Sequence, residues 1–235
     1  MFAPKSLKPL YFFLRLAKDP NELDRVFQMR NAAVNPTMTS LIRQKMREEP
    51  QGRKAIDEKI RIGNFTMDEL RALPEGSLGR AYADFMTLNK LSPEALPRMS
   101  NDNYVQAHLY ETHDLWHVIT GFGADVTGEA GLQAVYAAQL PGALPAALVS
   151  ALLLNAALER SGTKMKERFD AVARGWTMGF QAKAFFGYDF RKNFARPLRD
   201  VRAELGIDAS LAAPRSNLYV RALSEEAERE LARAA

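Results

Sequence analysis

No cysteine occurs in this chain of 235 residues. Disulfides and thiolate metal sites are therefore excluded, and any metal must rest on histidine and oxygen ligands. Alternating β-branched runs are missing too, apart from a weak strand signal over Lys59 to Thr66. There is no glycine-rich phosphate loop, nucleophile elbow or dinucleotide fingerprint. No internal repeat or low-complexity tract is visible. The charge excess is small, +4 with a pI near 9.3. That does not argue for nucleic acid, though it suits an anionic membrane surface or an acidic ligand.

A clear membrane span is also lacking. The stretch from Ala137 to Leu158 carries no charge. A spanning helix needs about 20 apolar residues. Here Gln139, Pro141, Gly142 and Pro145 interrupt the first third. The unbroken part, Ala146 to Leu158, has the length of a buried helix, so it reads as core or as the apolar wall of a cavity. The N-terminal segment, Met1 to Asn21, is basic and aromatic, with no acid before Asp19. Lys8, Pro9 and Arg15 break its apolar part, so it does not read as a secretory signal. A helix packed on the domain is expected, with a lipid-touching segment or a transit peptide, the latter poor in serine, as alternatives.

What is present is helical. Thr66 and Glu69 form a capping-box pattern. Helices are expected from Pro20 onward through Leu23, Val26 and Phe27, over Thr37 to Glu49, and over Leu78 to Lys90. Others are expected over Asn103 to Thr120, from an N-cap at Thr127, over Thr163 to Phe185, over Phe194 to Leu205, and over Ser224 to Ala234. With no linker between them, the expectation is one all-α domain spanning 1–235.

All three histidines lie within one short stretch: His108, His113 and His117. The core of it reads His113-Asp114-Leu115-Trp116-His117, and after eleven intervening residues comes Glu129. Positions i and i+4 stack on one helix face. On a wheel at 100° per residue, His113 and His117 lie ~40° apart and Asp114 ~60° beyond His117. Leu109, Trp116 and Thr120 flank the pair on the other edge. The Gly121 to Gly128 connection is short, so the next helix can fold back and bring Glu129 near the pair. Two imidazoles with one or two carboxylates leave open coordination positions, as catalytic sites do. Zinc fits such ligands, and so does iron(II). Glu111 is a candidate to orient a ligand from behind. His108 points roughly away from His113 and stays outside the ligand set. A bare H-x-x-x-H pair is common on solvent-facing helices; Trp116 and Leu109 beside this one favour a site.

Weaker candidates are Tyr104, Tyr110 and Tyr136 as proton donors, against the plainer reading of core tyrosines. The basic run Arg191, Lys192, Arg196, Arg199 and Arg202 can bind phosphate or anionic lipid. The plainer reading is a solvated face balanced by Asp189, Asp200 and Glu204.

Three blocks together resemble the coenzyme Q biosynthesis protein 4 family of ubiquinone biosynthesis. They are Pro74 to Thr87, Tyr110 to Val135 with H-D-x-x-H, eleven residues and then E, and Pro197 to Asp208. The likeness runs from about 68 to 208. It implies a largely helical fold, a homodimer, and peripheral attachment to the membrane that holds polyprenyl quinone precursors. That is the cytoplasmic face of a bacterial inner membrane, or the matrix side of the mitochondrial inner membrane. The implied activity is metal-dependent oxidative decarboxylation at C1 of a polyprenylated hydroxybenzoate. The implied ligands are His113, Asp114, His117 and Glu129, with zinc the usual metal. The family also resembles a scaffold for other ubiquinone biosynthesis enzymes, so a non-enzymatic lipid-binding scaffold is the alternative. A small hydrolase with a zinc-bound water is a third reading if the likeness is accidental. The family's tryptophan-glutamate pair before the last block is replaced here by Phe194 and Ala195.

Overall fold

The computed structural model describes residues 8–20, 36–92, 103–159 and 162–213. Among these, all regular structure is helical. In chain order the α-helices are α1 (Lys8–Lys18), α2 (Pro36–Met46), α3 (Pro50–Glu58), α4 (Met67–Arg71) and α5 (Leu78–Leu88). They continue as α6 (Tyr104–Thr120), α7 (Val126–Gln139), α8 (Ala143–Leu158), α9 (Gly162–Gln181) and α10 (Leu198–Leu205). The expected helices after Pro20 and over 224–234 fall outside the described residues.

The helix that carries the histidines is the most buried of the set. Asn103 caps it, its side chain accepting from the Gln106 amide. Gly121 ends it in the left-handed region at φ +85, a conformation that suits a residue without Cβ. Leu115, Trp116 and Ile119 are fully buried in the main core, beside Tyr82 and Met86 of α5 and Leu132 and Val135 of α7. α7 and α9 approach closely because glycines face each other. A Cβ on Gly175 would lie 2.0 Å from the Gly131 carbonyl oxygen.

A second, smaller core joins Leu16 and Ala17 of α1 to Leu148 and Ala151 of α8. The uncharged α8 is thus a packed helix. Pro145 sits in its first turn, where no amide donor is needed. No helix among the described residues is long and apolar enough to cross a membrane.

Several expectations needed correction. The segment over 60–66 has no regular secondary structure and forms no strand. A separate helix, α3, follows α2 across a turn at 47–49, because Pro50 suits a first helical turn. The long helix expected to reach Phe185 stops at Gln181. Beyond it the Lys183 amide bonds the Leu205 carbonyl and the Phe185 amide bonds Gln139, so the chain is drawn off the helix axis. The helix expected over Phe194 to Leu205 begins at Leu198. Pro197 disfavours helix at the residue before it, and the Arg196 and Phe194 carbonyls accept from Leu78 and Gly79.

Candidate metal centre

The cluster is built by two consecutive helices and the turn between them. α6 ends at Gly121, and the Phe122 side chain then packs against Gly131, where any Cβ would strike its ring. Asp125, not Thr127, caps α7, accepting from the Thr127 and Gly128 amides. The turn is tight: a Cβ at Gly128 would fall 2.1 Å from the Gly123 carbonyl oxygen. Glu129 therefore sits in the first turn of α7, beside the last turns of α6.

Glu129 Oε2 lies 3.2 Å from His117 Nε2 and 3.6 Å from His113 Nε2. Two donors each about 2.1 Å from a tetrahedral ion stand about 3.4 Å apart. The spacing therefore fits one small divalent cation. The ligand atoms of His113, His117 and Glu129 all fall within 4.8 Å of one another. His117 is buried at 3% exposure, whereas His113 and Glu129 are 34% and 29% exposed, so one side of the cluster faces solvent.

The inner side is walled by rings. Phe85 stacks on His117 at 5.4 Å, and Tyr136 on His113 at 5.9 Å. Burial would raise the Glu129 carboxyl, but the His113 charge and hydrogen bonds from His113 and His117 outweigh it and hold it well below the ordinary range. An ionised carboxylate against two imidazoles is what a cation needs.

The donors are oriented from behind. His117 Nδ1 is 3.0 Å from the Phe122 carbonyl oxygen. A carbonyl only accepts, so Nδ1 carries a proton, and Nε2, which here bonds Glu129, is the nitrogen whose lone pair a cation would take once its proton is displaced. Gln133 Nε2 donates to Glu129 Oε1 at 2.7 Å, leaving Oε2 facing the imidazoles.

The other expected residues stand outside this three-residue group. Asp114, half-buried on the same turn, is not part of the three-residue group. Burial, and then the Asp114 charge, raise the Tyr82 hydroxyl above its ordinary value. Glu111 accepts from Arg61 Nε at 2.8 Å, from Arg61 Nη2, and from the Ile62 amide at 3.4 Å, tying the segment after α3 to α6. His108 is fully turned away: Nε2 accepts the Gly187 amide at 3.1 Å and Nδ1 meets Tyr104 Oη at 3.4 Å. Of the basic run, Arg202 donates to the Ile119 and Val118 carbonyls at 2.9 Å each. Arg191 lies over the Phe65 and Phe194 rings, Arg196 pairs with Glu204, and Arg199 lies 3.4 Å from Asp200.

Sequence reasoning missed Gln133, Phe85 and the Phe122 carbonyl. The stripe Glu129, Gln133, Tyr136 follows i, i+4, i+7 and was a usable signal. Nothing in the sequence marks the carbonyl.

Fold and site together define an all-helical protein with a two-histidine, one-carboxylate cluster suited to a single metal ion. A family model described as coenzyme Q (ubiquinone) biosynthesis protein Coq4 matches residues 14–210. The chain belongs to the Coq4 family and so to ubiquinone biosynthesis. It is 30% identical over 196 residues to the mitochondrial ubiquinone biosynthesis protein COQ4 homolog of Bos taurus, covering 80% of this chain and 72% of that one. It is 30% identical over 201 residues to the mitochondrial ubiquinone biosynthesis protein coq-4 of Caenorhabditis elegans, covering 80% of this chain and 84% of that one. A crystal structure of a protein provisionally assigned to ubiquinone biosynthesis from Nostoc punctiforme superposes with TM-score 0.73 at 26% identity. That match covers 86% of this chain and 97% of the other.

Proposed function

We propose that this chain removes the C1 carboxylate of a polyprenylated hydroxybenzoate by metal-dependent oxidative decarboxylation. The observation that carries the reading is the convergence of His113 Nε2, His117 Nε2 and Glu129 Oε2 on one partly open point. The ring loses carbon dioxide and gains a hydroxyl, so two electrons pass to an oxidant such as dioxygen. A divalent cation there supplies an anchor for the substrate carboxylate, and iron(II) in a two-histidine, one-carboxylate set also supplies redox chemistry that zinc lacks.

The chain's own residues hold and orient. His113, His117 and Glu129 fix the ion, and Asp114 is proposed as a further ligand, as the family likeness implies. Phe85, Trp116 and Tyr136 keep water from the inner side. The uncharged α8 gives an isoprenoid tail an apolar path. The reading includes a homodimer, contact with other ubiquinone biosynthesis proteins and peripheral attachment to an inner membrane. The word mitochondrial in the relatives' names supports a mitochondrial location if the source is eukaryotic, and the matrix side of the inner membrane is then the side we propose.

Exposed Leu10, Tyr11 and Leu14 on α1, with Phe169, Trp176 and Phe180 on α9, favour a second reading: a lipid-binding scaffold without chemistry. Elemental analysis and quinone production separate the two. The enzyme reading expects one metal per chain, lost in His117→Ala, and no C1 decarboxylation in His113→Ala or Glu129→Ala. Normal quinone output from folded His113→Ala leaves the scaffold reading.

A further inference from the structure

We propose that Tyr136 is the positioning residue for His113: its hydroxyl oxygen accepts the Nδ1 proton, so that Nε2 faces the cluster. This deepens the metal-centre reading above and rests on it. His113 Nδ1 lies 3.3 Å from Tyr136 Oη. The two rings are nearly parallel, 23° apart. A neutral imidazole carries its proton on one nitrogen only, and the partner of the second nitrogen selects which. His117 already shows the pattern, with Nδ1 facing the Phe122 carbonyl and Nε2 facing Glu129. Tyr136 does the same for His113 with a hydroxyl in place of a carbonyl.

Tyr136 is itself fixed. Its ring stacks on Trp116 at 4.1 Å, with the planes 4° apart. Trp116 is fully buried and wedged edge-on against Phe185 at 4.3 Å. A phenol clamped in this way cannot swing away when His113 does, so the imidazole is held to one orientation. Glu129, Gln133 and Tyr136 then form one stripe of α7 facing α6: a ligand, a brace for that ligand, and an orienting group for the ligand opposite.

A core tyrosine with a satisfied hydroxyl would show the same burial, so the test must read the histidine and the metal rather than stability. Tyr136→Phe keeps the ring and its stack and removes only the oxygen. Cobalt(II) titrated into the full chain reads both affinity and, through its visible absorption, ligand geometry. Removing such an orienting partner costs about ten- to a hundredfold in metal affinity. We expect a loss in that range in Tyr136→Phe, with a shifted cobalt spectrum and an unchanged melting temperature of the metal-free protein. Affinity within twofold of the parent with the same spectrum overturns the inference. A parent that binds no cobalt overturns the metal-centre reading and the inference with it, so the two failures are distinguishable. Should Tyr136→Phe not fold, side-chain 15N NMR of the metal-loaded parent decides. Protonated Nδ1 with metal-bound Nε2 at His113 supports the role; the reverse tautomer refutes it.

Discussion

Acid should destabilise the folded chain through His108 by about 3 kcal/mol between pH 7 and pH 4. Burial lowers His108 from 6.5 to about 4. The charged groups facing it are mixed: Glu111, then Asp189, oppose the shift and Arg61 assists it. The Tyr104 hydroxyl beside it is raised by burial and stays neutral. Geometry gives the same direction. The Gly187 amide donates to Nε2, so a proton there would set two donors against each other. The Tyr104 hydroxyl donates to the Ile60 carbonyl at 2.9 Å, leaving its oxygen to accept from Nδ1. The unfolded chain thus takes up a proton near 6.5, whereas the folded chain refuses it until about 4. The stability owed to neutral His108 is complete above the higher value and lost as pH falls toward the lower. The assay is urea unfolding at pH 7, 5 and 4, with chelator present so that bound metal does not contribute. His108→Gln keeps an acceptor for the Gly187 amide but does not titrate. The variant starts less stable at pH 7, and its loss on acidification should be about 3 kcal/mol smaller. Equal losses in parent and variant would refute the reasoning.

Three other outcomes follow from particular contacts. Gly175→Ala drives a methyl into the Gly131 carbonyl, forces α7 and α9 apart, and should cost at least about 2 kcal/mol, read as a melting temperature lower by several degrees. Arg202→Met removes both donors from the Ile119 and Val118 carbonyls at the end of α6, a loss of about 2 to 3 kcal/mol in chemical unfolding. Divalent metal at a hundred times its dissociation constant should stabilise the parent by about 2.7 kcal/mol, visible as a melting shift that chelator reverses and that His117→Ala does not show.

The helical class was legible because its signals are local. The Thr66–Glu69 capping box forms as the sequence suggests, with the Glu69 amide 3.1 Å from the Thr66 hydroxyl. Gly121 and Gly206 stop their helices in the left-handed region. Misplaced boundaries arose where distant contacts outweighed propensity. Phe185 continues an apolar pattern, yet its amide bonds a glutamine from α7, and no local signal carries that. The spacing of His113, His117 and Glu129 was likewise readable, since one helix and one short turn set it. Glu111 could not be assigned from the sequence. Its wheel position lies ~160° from His113 and ~60° beyond Asp114, and its carboxylate goes to Arg61, fifty residues earlier in the chain.

The way the donors are held bears on what the centre is for. Each of the three has a second heteroatom pointing away from the cluster, and each of these meets a polar partner: the Phe122 carbonyl, the Tyr136 hydroxyl and the Gln133 amide. These bonds fix tautomer and carboxylate rotation, which matter for binding an ion in one geometry. The enzyme we propose uses them, whereas the scaffold reading does not call on them. An enclosed structural site would exclude solvent, whereas here His113 and Glu129 remain about one-third exposed on one side. On the proposed reading, oriented donors, an apolar inner wall and an open outer side suit a centre that admits a second, exchangeable ligand. An ionised benzoate has the charge to be that ligand.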